Sequence, residues 1–431
     1  RGRLIFQPRR ITRTFMTDSH DQLPDPECAP LIKKPAGGTP PLVTTIQGIL
    51  EWCARVKADE DLAIDVERAS SYRYSAKAYL VQIKTEAAGI LLLDPLACQL
   101  PGTFTDIMNS HPWILHASRQ DLPSLAMLGL EPVALFDTEV AARLLGLPKV
   151  SLGALTEELL DVRLAKEHSS ANWSKRPLPE SWLDYAALDV EYLAELKTVL
   201  TRMLDDAHKT SWAREEFAFE ATFAHPEVPD EPWRGLHGLG QLKSPLQLAV
   251  ARSMWERRDA IARNADVAPF MVLRDKALVA MAKASSKGRQ EFDNAAPKNL
   301  KHREQWWRCV REARELPRVH LPSKRDLGPY PNHRSWSRRY PEVLEAYKQV
   351  REGLLTRAEE LHMPVENLIS PGHMRHWVWN HFSAEAEHRI PHASSEQIVQ
   401  ELEAVGARPW QAAQVTPAII ESLRSYARSR G

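Results

Sequence analysis

The chain has 431 residues, 43% of them hydrophobic, and 56 Lys and Arg balance 56 Asp and Glu, so it is too long for one ordinary core and two or three domains are expected. Its longest apolar run, Ala87 to Leu93, falls far short of the roughly 20 residues a membrane-spanning helix needs. Cys28, Cys53, Cys98 and Cys309 are scattered without a C-x-x-C pair, which argues against a zinc ribbon, a redox motif or a disulfide framework and fits a reducing cytoplasm.

The first fifteen residues carry Arg1, Arg3, Arg9, Arg10 and Arg13 without an acid. Their apolar residues are too dispersed for a secretory signal, and Met16 reads as the native start. Residues 1–44 include Pro35-Ala36-Gly37-Gly38-Thr39-Pro40-Pro41, a composition that cannot bury a core, and are expected to form a disordered tail. Helical spacing over Thr45 to Val56 is followed by β-prone runs at Asp61 to Glu67, Ala78 to Thr85 and Gly89 to Asp94, which read as an antiparallel meander. Ile114-Leu115-His116 and Ala134-Leu135-Phe136 read as two more strands, each leading into a helix, and Leu178 to Leu204 as one long amphipathic helix. The order βββαβαβα predicts an α/β domain over residues 45–222, a mixed sheet flanked by helices.

Pro226, Pro229 and Pro232 then break the periodicity, so 223–243 is a linker. Two all-α domains are expected after it, 244–325 and 326–431. The neutral net charge conceals a division, because Lys243 to Glu345 holds 22 Lys and Arg against 12 Asp and Glu while the part between the Arg-rich start and Lys243 is acidic. One half looks suited to metals and the other to phosphates.

The sequence contains D-x-E three times, at Asp65-Val66-Glu67, Asp137-Thr138-Glu139 and Asp189-Val190-Glu191. In a strand, Asp65 and Glu67 project from one face, and two adjacent carboxylates repel unless a hard cation such as Mg²⁺ lies between them. Asp137-Thr138-Glu139 opens a helical pattern and is explained as a cap with an acidic first turn. On a helix, Asp189 and Glu191 point about 200° apart, which leaves Asp189 alone as a candidate, with Tyr185 one turn earlier on its face.

Ala63-Ile64-Asp65-Val66-Glu67, His116-Ala117-Ser118-Arg119-Gln120-Asp121-Leu122 and Tyr185-Ala186-Ala187-Leu188-Asp189-Val190 resemble, in order, the three exonuclease motifs of the ribonuclease D family. The resemblance covers roughly Val43 to Leu204. It implies an RNase H-like fold in which Asp65, Glu67, Asp121 and Asp189 bind two divalent ions, Mg²⁺ or Mn²⁺, and Tyr185 orients the attacking water. Asp184 stands next to Tyr185, so the subtype that uses a histidine five residues before the last Asp is excluded. A looser resemblance over Pro245 to Pro322 points to the HRDC domain that follows the nuclease in this family. The region from Tyr340 to Leu423 could be a second, diverged copy.

Substrate contacts are expected from His116, Lys166, Arg176, Arg252 and Arg257, with Lys283, Lys287 and Arg289 as further cations. For His116, at the end of a short strand, hydrogen-bonded packing is the commoner role, and each cation could be a solvated charge. Trp173, Trp306, Trp307 and Trp336 read as packing. The implied function is 3′→5′ removal of nucleotides from RNA, with tRNA precursors or other structured RNA as the substrate. A DNA-directed exonuclease and a non-catalytic RNA-binding scaffold are the alternatives. Nothing identifiable in the sequence reads the 2′-hydroxyl, and the intact acids speak against the scaffold.

Overall fold

The β-prone runs become strands β1 (Leu31–Ile32), β2 (Leu42–Val43), β3 (Leu62–Arg68), β4 (Ala78–Thr85), β5 (Gly89–Leu93), β6 (Trp113–Leu115), β7 (Leu135–Asp137) and β8 (Arg163–Leu164). The computed structural model describes residues 31–165, 171–323, 330–383 and 394–430. Six strands form a mixed sheet in the order β2-β5-β4-β3-β6-β7. The meander β3-β4-β5 is antiparallel, whereas β6 and β7 join parallel beside β3 and β2 parallel beside β5.

Alternation along β3 divides the domain into layers. Leu62, Ile64 and Val66 enter one core with Val81, Ile83, Trp52, Phe104 and Trp113. Ala63, Asp65 and Glu67 face the other side, where Ala186 and Ala187 of the helix Glu180–Glu191 pack with Leu80 and Leu92, and Val190 with Ala63 and Ile114.

Two expectations are corrected. Residues 31–44 are not a free tail, because β1 pairs with β8 and β2 with the edge of the sheet. A two-residue strand needs no core of its own when a sheet edge offers backbone partners. The segment is also fastened over the helix Glu180–Glu191, where Thr39 donates to Asp184 and Lys34 pairs with Asp184 and Glu180. The second correction concerns Leu178 to Leu204, which forms two helices, Glu180–Glu191 and Leu193–Asp206, broken at Tyr192. The first lies on the sheet, while Leu196, Leu200 and Leu204 of the second enter a different core. Residues 1–30, with the Arg-rich start, lie outside the described residues.

The basic half is helical, as expected. Pro245–Ala265 opens with a capping box between Ser244 and Gln247. With Asp275–Ala284 and Arg303–Glu315 it encloses a core of its own around Leu248, Met254, Phe292 and Trp306. The last helices, Pro341–Glu360, Pro371–Phe382, Ser395–Ala404 and Pro409–Arg430, instead complete a core shared with the α/β half. Trp173, Trp306 and Trp336 are buried, in agreement with the packing reading. No helix among the described residues is long and apolar enough to cross a membrane.

Candidate active site

Three carboxylates converge where β3 meets the helix Glu180–Glu191. Asp65 and Glu67 come from one face of the strand and Asp189 from the last turn of the helix, and ligand atoms of all three lie within 4.8 Å of one another. Among the described residues this is the one cluster of its kind. Small residues bring the helix down onto the strand, since Ala186 and Ala187 are both fully buried against the sheet.

The fourth acid arrives by a different device. After β6, Ala117 takes a left-handed conformation (φ 58°) and starts the short turn Ser118–Gln120 that ends at Asp121. Asp137 braces this turn by accepting from the backbone N–H groups of Ala117 (3.2 Å) and Ser118 (2.7 Å). The same carboxylate caps its own helix through Glu139 N and Val140 N, as the sequence led us to expect. Asp121 is buried, with one oxygen 3.7 Å from the guanidinium of Arg68.

Burial opposes charge throughout the cluster. Desolvation pushes the Asp65 carboxyl up to about 6, while the backbone of Val66 and the charge of Arg68 pull against it. Glu67, Asp121 and Asp189 are raised well above the usual carboxylate range, first by burial and then by neighbouring acids. The Tyr185 phenol is raised by burial and by Asp189, Glu67 and Asp65, and it hydrogen-bonds to the Asp189 carboxylate. Gln82, which faces Asp65 across β3 and β4, is fully buried with neither amide atom hydrogen-bonded among the described residues. An all-oxygen donor set short of positive charge, beside an unpartnered amide, fits a hard divalent cation.

Family models agree with this geometry. Residues 40–205 match the model of a 3′-5′ exonuclease, 247–303 that of an HRDC domain, and 329–423 that of a 3′ to 5′ exonuclease C-terminal domain. Ribonuclease D of Jannaschia sp. (strain CCS1) is 31% identical over 253 residues, which cover 56% of this chain and 65% of that protein. The chain belongs to the ribonuclease D family. The solved structure of a protein from Bifidobacterium adolescentis is 34% identical, with a TM-score of 0.78 over 91% of this chain and 99% of that one. Escherichia coli RNase D, described as an exoribonuclease involved in structured RNA processing, shares the fold at 24% identity and a TM-score of 0.70, covering 90% of this chain and 99% of that one.

Outside the acid cluster of this ribonuclease D relative, the expected substrate residues divide. His116 turns Nδ1 to Thr138 Oγ1 at 2.9 Å, and burial lowers its pKa, so it packs as a neutral ring. Arg176 is held at both ends, donating to Asp94 Oδ2 at 2.6 Å and to Tyr79 O on the sheet side and to the carbonyls of Trp173 and Lys175 in its own loop. Its guanidinium ties this loop to the sheet. Lys166 lies outside the described residues. Arg252 and Arg257 lie on the helix Pro245–Ala265 of the HRDC domain, where Arg257 donates to Gln305 at 3.2 Å.

Arg68 is the site residue that the sequence reading missed. Alternation sends it to the face opposite Glu67, across from Ala78 of β4, yet it is the last residue of the strand and its long side chain brings the guanidinium to 3.7 Å from Asp121.

Proposed function

We propose that this protein hydrolyses RNA from its 3′ end and releases nucleoside 5′-monophosphates, acting in the cytoplasm on structured RNA such as tRNA precursors. The observation that carries the reading is the convergence of Asp65, Glu67 and Asp189 within 4.8 Å, beside Asp121 and with a phenol bonded to Asp189. Likeness to proteins called ribonuclease D supports RNA as the substrate, and the cationic surplus of Lys243 to Glu345 supports phosphate contacts outside the site. The reading extends the nuclease unit of 45–222 to include β1 and β2 and keeps 244–325 as the HRDC domain and 326–431 as the C-terminal unit, but the linker 223–243 is shortened, because Trp233, Leu236 and Leu242 enter the HRDC core.

Asp65, Glu67, Asp121 and Asp189 would hold two divalent ions, Mg²⁺ or Mn²⁺, which when bound supply the positive charge that polarises a phosphodiester and acidifies water. The strand and helix backbones fix these carboxylates before substrate arrives, so little reorganisation is left for the reaction. Tyr185 keeps its proton at neutral pH, as any phenol does, and burial beside the acids raises its pKa further. Its one O–H donates to the Asp189 carboxylate, so the phenol oxygen can accept from, and thereby orient, an incoming water without taking that water's proton. Arg68 offsets part of the negative charge at Asp121.

The test is time-resolved digestion of 5′-labelled, 3′-tailed tRNA and of matched single-stranded DNA, with Mg²⁺, Mn²⁺ or EDTA, by wild type and Asp65→Asn. Stepwise shortening of the RNA with metal is expected, slower by about 10³-fold or more in the variant. Faster shortening of DNA would replace RNA as the substrate, and RNA binding without cleavage under either metal would leave only a binding scaffold.

A further inference from the structure

The HRDC domain contains a cavity of about 700 Å³ that the acid cluster does not explain. It opens between the short helix Pro269–Val272 and the segment from Pro297 to His302. Two large apolar side chains stand on its wall in partial contact with water, Phe270 at 47% and Met271 at 57% exposure. Arg274, Lys301 and His302 also line it, and no acidic residue does. The cavity between the nuclease helices and the C-terminal unit differs in this respect. There Arg119, Arg143 and Arg408 are each paired with a glutamate, so their charge is already spent.

The position of the cavity adds a second argument. The loop that leaves β3 after Glu67 and Arg68 is the part of the nuclease domain on which the HRDC domain rests. Ala268 N donates to Tyr72 O (3.2 Å), Ser75 N to Asp266 (3.1 Å) and Tyr74 OH to Asp259 (2.9 Å). Phe270 follows Ala268 by two residues and Tyr72 follows Glu67 by five, which puts the cavity wall within about 30 Å of the acids by chain length alone.

We propose that this cavity binds an unpaired nucleotide of single-stranded RNA, several nucleotides upstream of the 3′ end held at the acids. The base lies against Phe270 and Met271, and the flanking phosphates lie on Arg274 and Lys301. An aromatic wall with a cationic, acid-free rim is what a base and its phosphodiester require together, and the volume is of the size that holds a small ligand. The direction of the strand, though not the binding itself, rests on the exonuclease reading.

Full-length protein in EDTA, where no cleavage is expected, is titrated with 12-nucleotide RNAs carrying one 2-aminopurine at successive positions from the 3′ end. The subsite predicts a fluorescence change at one internal position, its loss in Phe270→Ala, and binding about tenfold weaker in that variant. The pair Arg274→Gln and Lys301→Gln should lower the slope of log affinity against log salt by about 1.4. All three side chains reach solvent, and an unchanged thermal midpoint in each variant verifies folding. No internal response, or one that Phe270→Ala leaves in place, overturns the subsite. So does a change in sedimentation with RNA binding unchanged, which would mean that a second copy of the chain covers the patch. Wild-type cleavage with Mg²⁺ is measured in parallel: a Phe270-dependent response without cleavage upholds the subsite and rejects the exonuclease reading, whereas cleavage without the response does the reverse.

Discussion

The two helical units that follow the nuclease domain are attached to it in opposite ways. The C-terminal unit has merged cores with its host, so that Leu144, Leu155, Leu200 and Phe217 of the nuclease half pack in one cluster with Leu354, Trp377 and Trp410. Trp212 stacks on Trp410 with ring centroids 4.9 Å apart, and the buried Glu216 takes hydrogen bonds from Arg408 and from the Trp410 indole. The HRDC domain keeps its own core, drawn from Trp233 to Leu321, and meets the nuclease through polar contacts at Tyr72 to Ser75. Apolar burial of the first kind makes one cooperative unit, while a small polar interface of the second kind is where domains move. The C-terminal unit therefore braces the helices behind the site, whereas the HRDC domain is held by the smaller, polar interface.

The largest effect should come from the tightest point of the shared interface. Gly146 has φ +70°, and a Cβ there would stand 1.9 Å from the carbonyl oxygen of His362. Gly146→Ala must strain the backbone and also displace the C-terminal unit, at a cost of about 3 kcal/mol or more. Limited proteolysis should then release fragments from residues 330–430 while the HRDC core stays protected. A variant as resistant as wild type would show that the two cores are not one unit.

Lys209 sharpens the comparison through pH. Its ammonium donates to Leu144 O (2.7 Å) and Leu361 O (2.6 Å), one on each side of the interface, and burial lowers its pKa to about 8. The ordinary lysine value is 10.5. Between these values the unfolded chain carries a proton that the folded chain has released, so the stability this group contributes rises with pH from about 8 toward 10.5. The gain is at most about 3 kcal/mol. Chemical denaturation across that range should show wild type gaining on Lys209→Met, and parallel curves would mean that the amine is hydrated in solution.

The sequence revealed most of the site and less of these attachments. Period-two alternation was enough to place Asp65 and Glu67 together, and the helical turn from Tyr185 to Asp189 put the phenol beside its carboxylate. Arg68 was hidden because alternation places it on the face away from Glu67, and only the tertiary position of Asp121, beyond the end of β3, brings the two together. The role of residues 31–44 was hidden because strands that borrow a sheet edge leave almost no trace in hydrophobic pattern. The break at Tyr192 came from packing against two different cores, which helix periodicity cannot register. The merged and docked helical units look alike as sequences, since both are amphipathic helices between Pro and Gly, and only the tertiary partners of Leu354, Trp377 and Trp410 set them apart.

The smallest effect belongs to the docked interface, and it is the most informative about function. Tyr74 offers its hydroxyl to Asp259 (2.9 Å) and accepts from Arg263 (3.2 Å), whose guanidinium also lies 5.5 Å from the Tyr74 ring centroid. Tyr74→Phe keeps the ring and removes only the hydroxyl, so global stability should change by about 1 kcal/mol or less. Hydrogen exchange should nevertheless rise locally in residues 69–77 and at Asp266 to Ala268, while the amides of Pro409–Arg430 keep their protection. Exchange that rises equally at both interfaces would mean that the nuclease couples the two helical units, and the HRDC domain would no longer be the separately moving part. If exchange rises only at the HRDC contact, loosening it should weaken binding of long RNA more than turnover of a dinucleotide, because only the longer strand reaches across that contact.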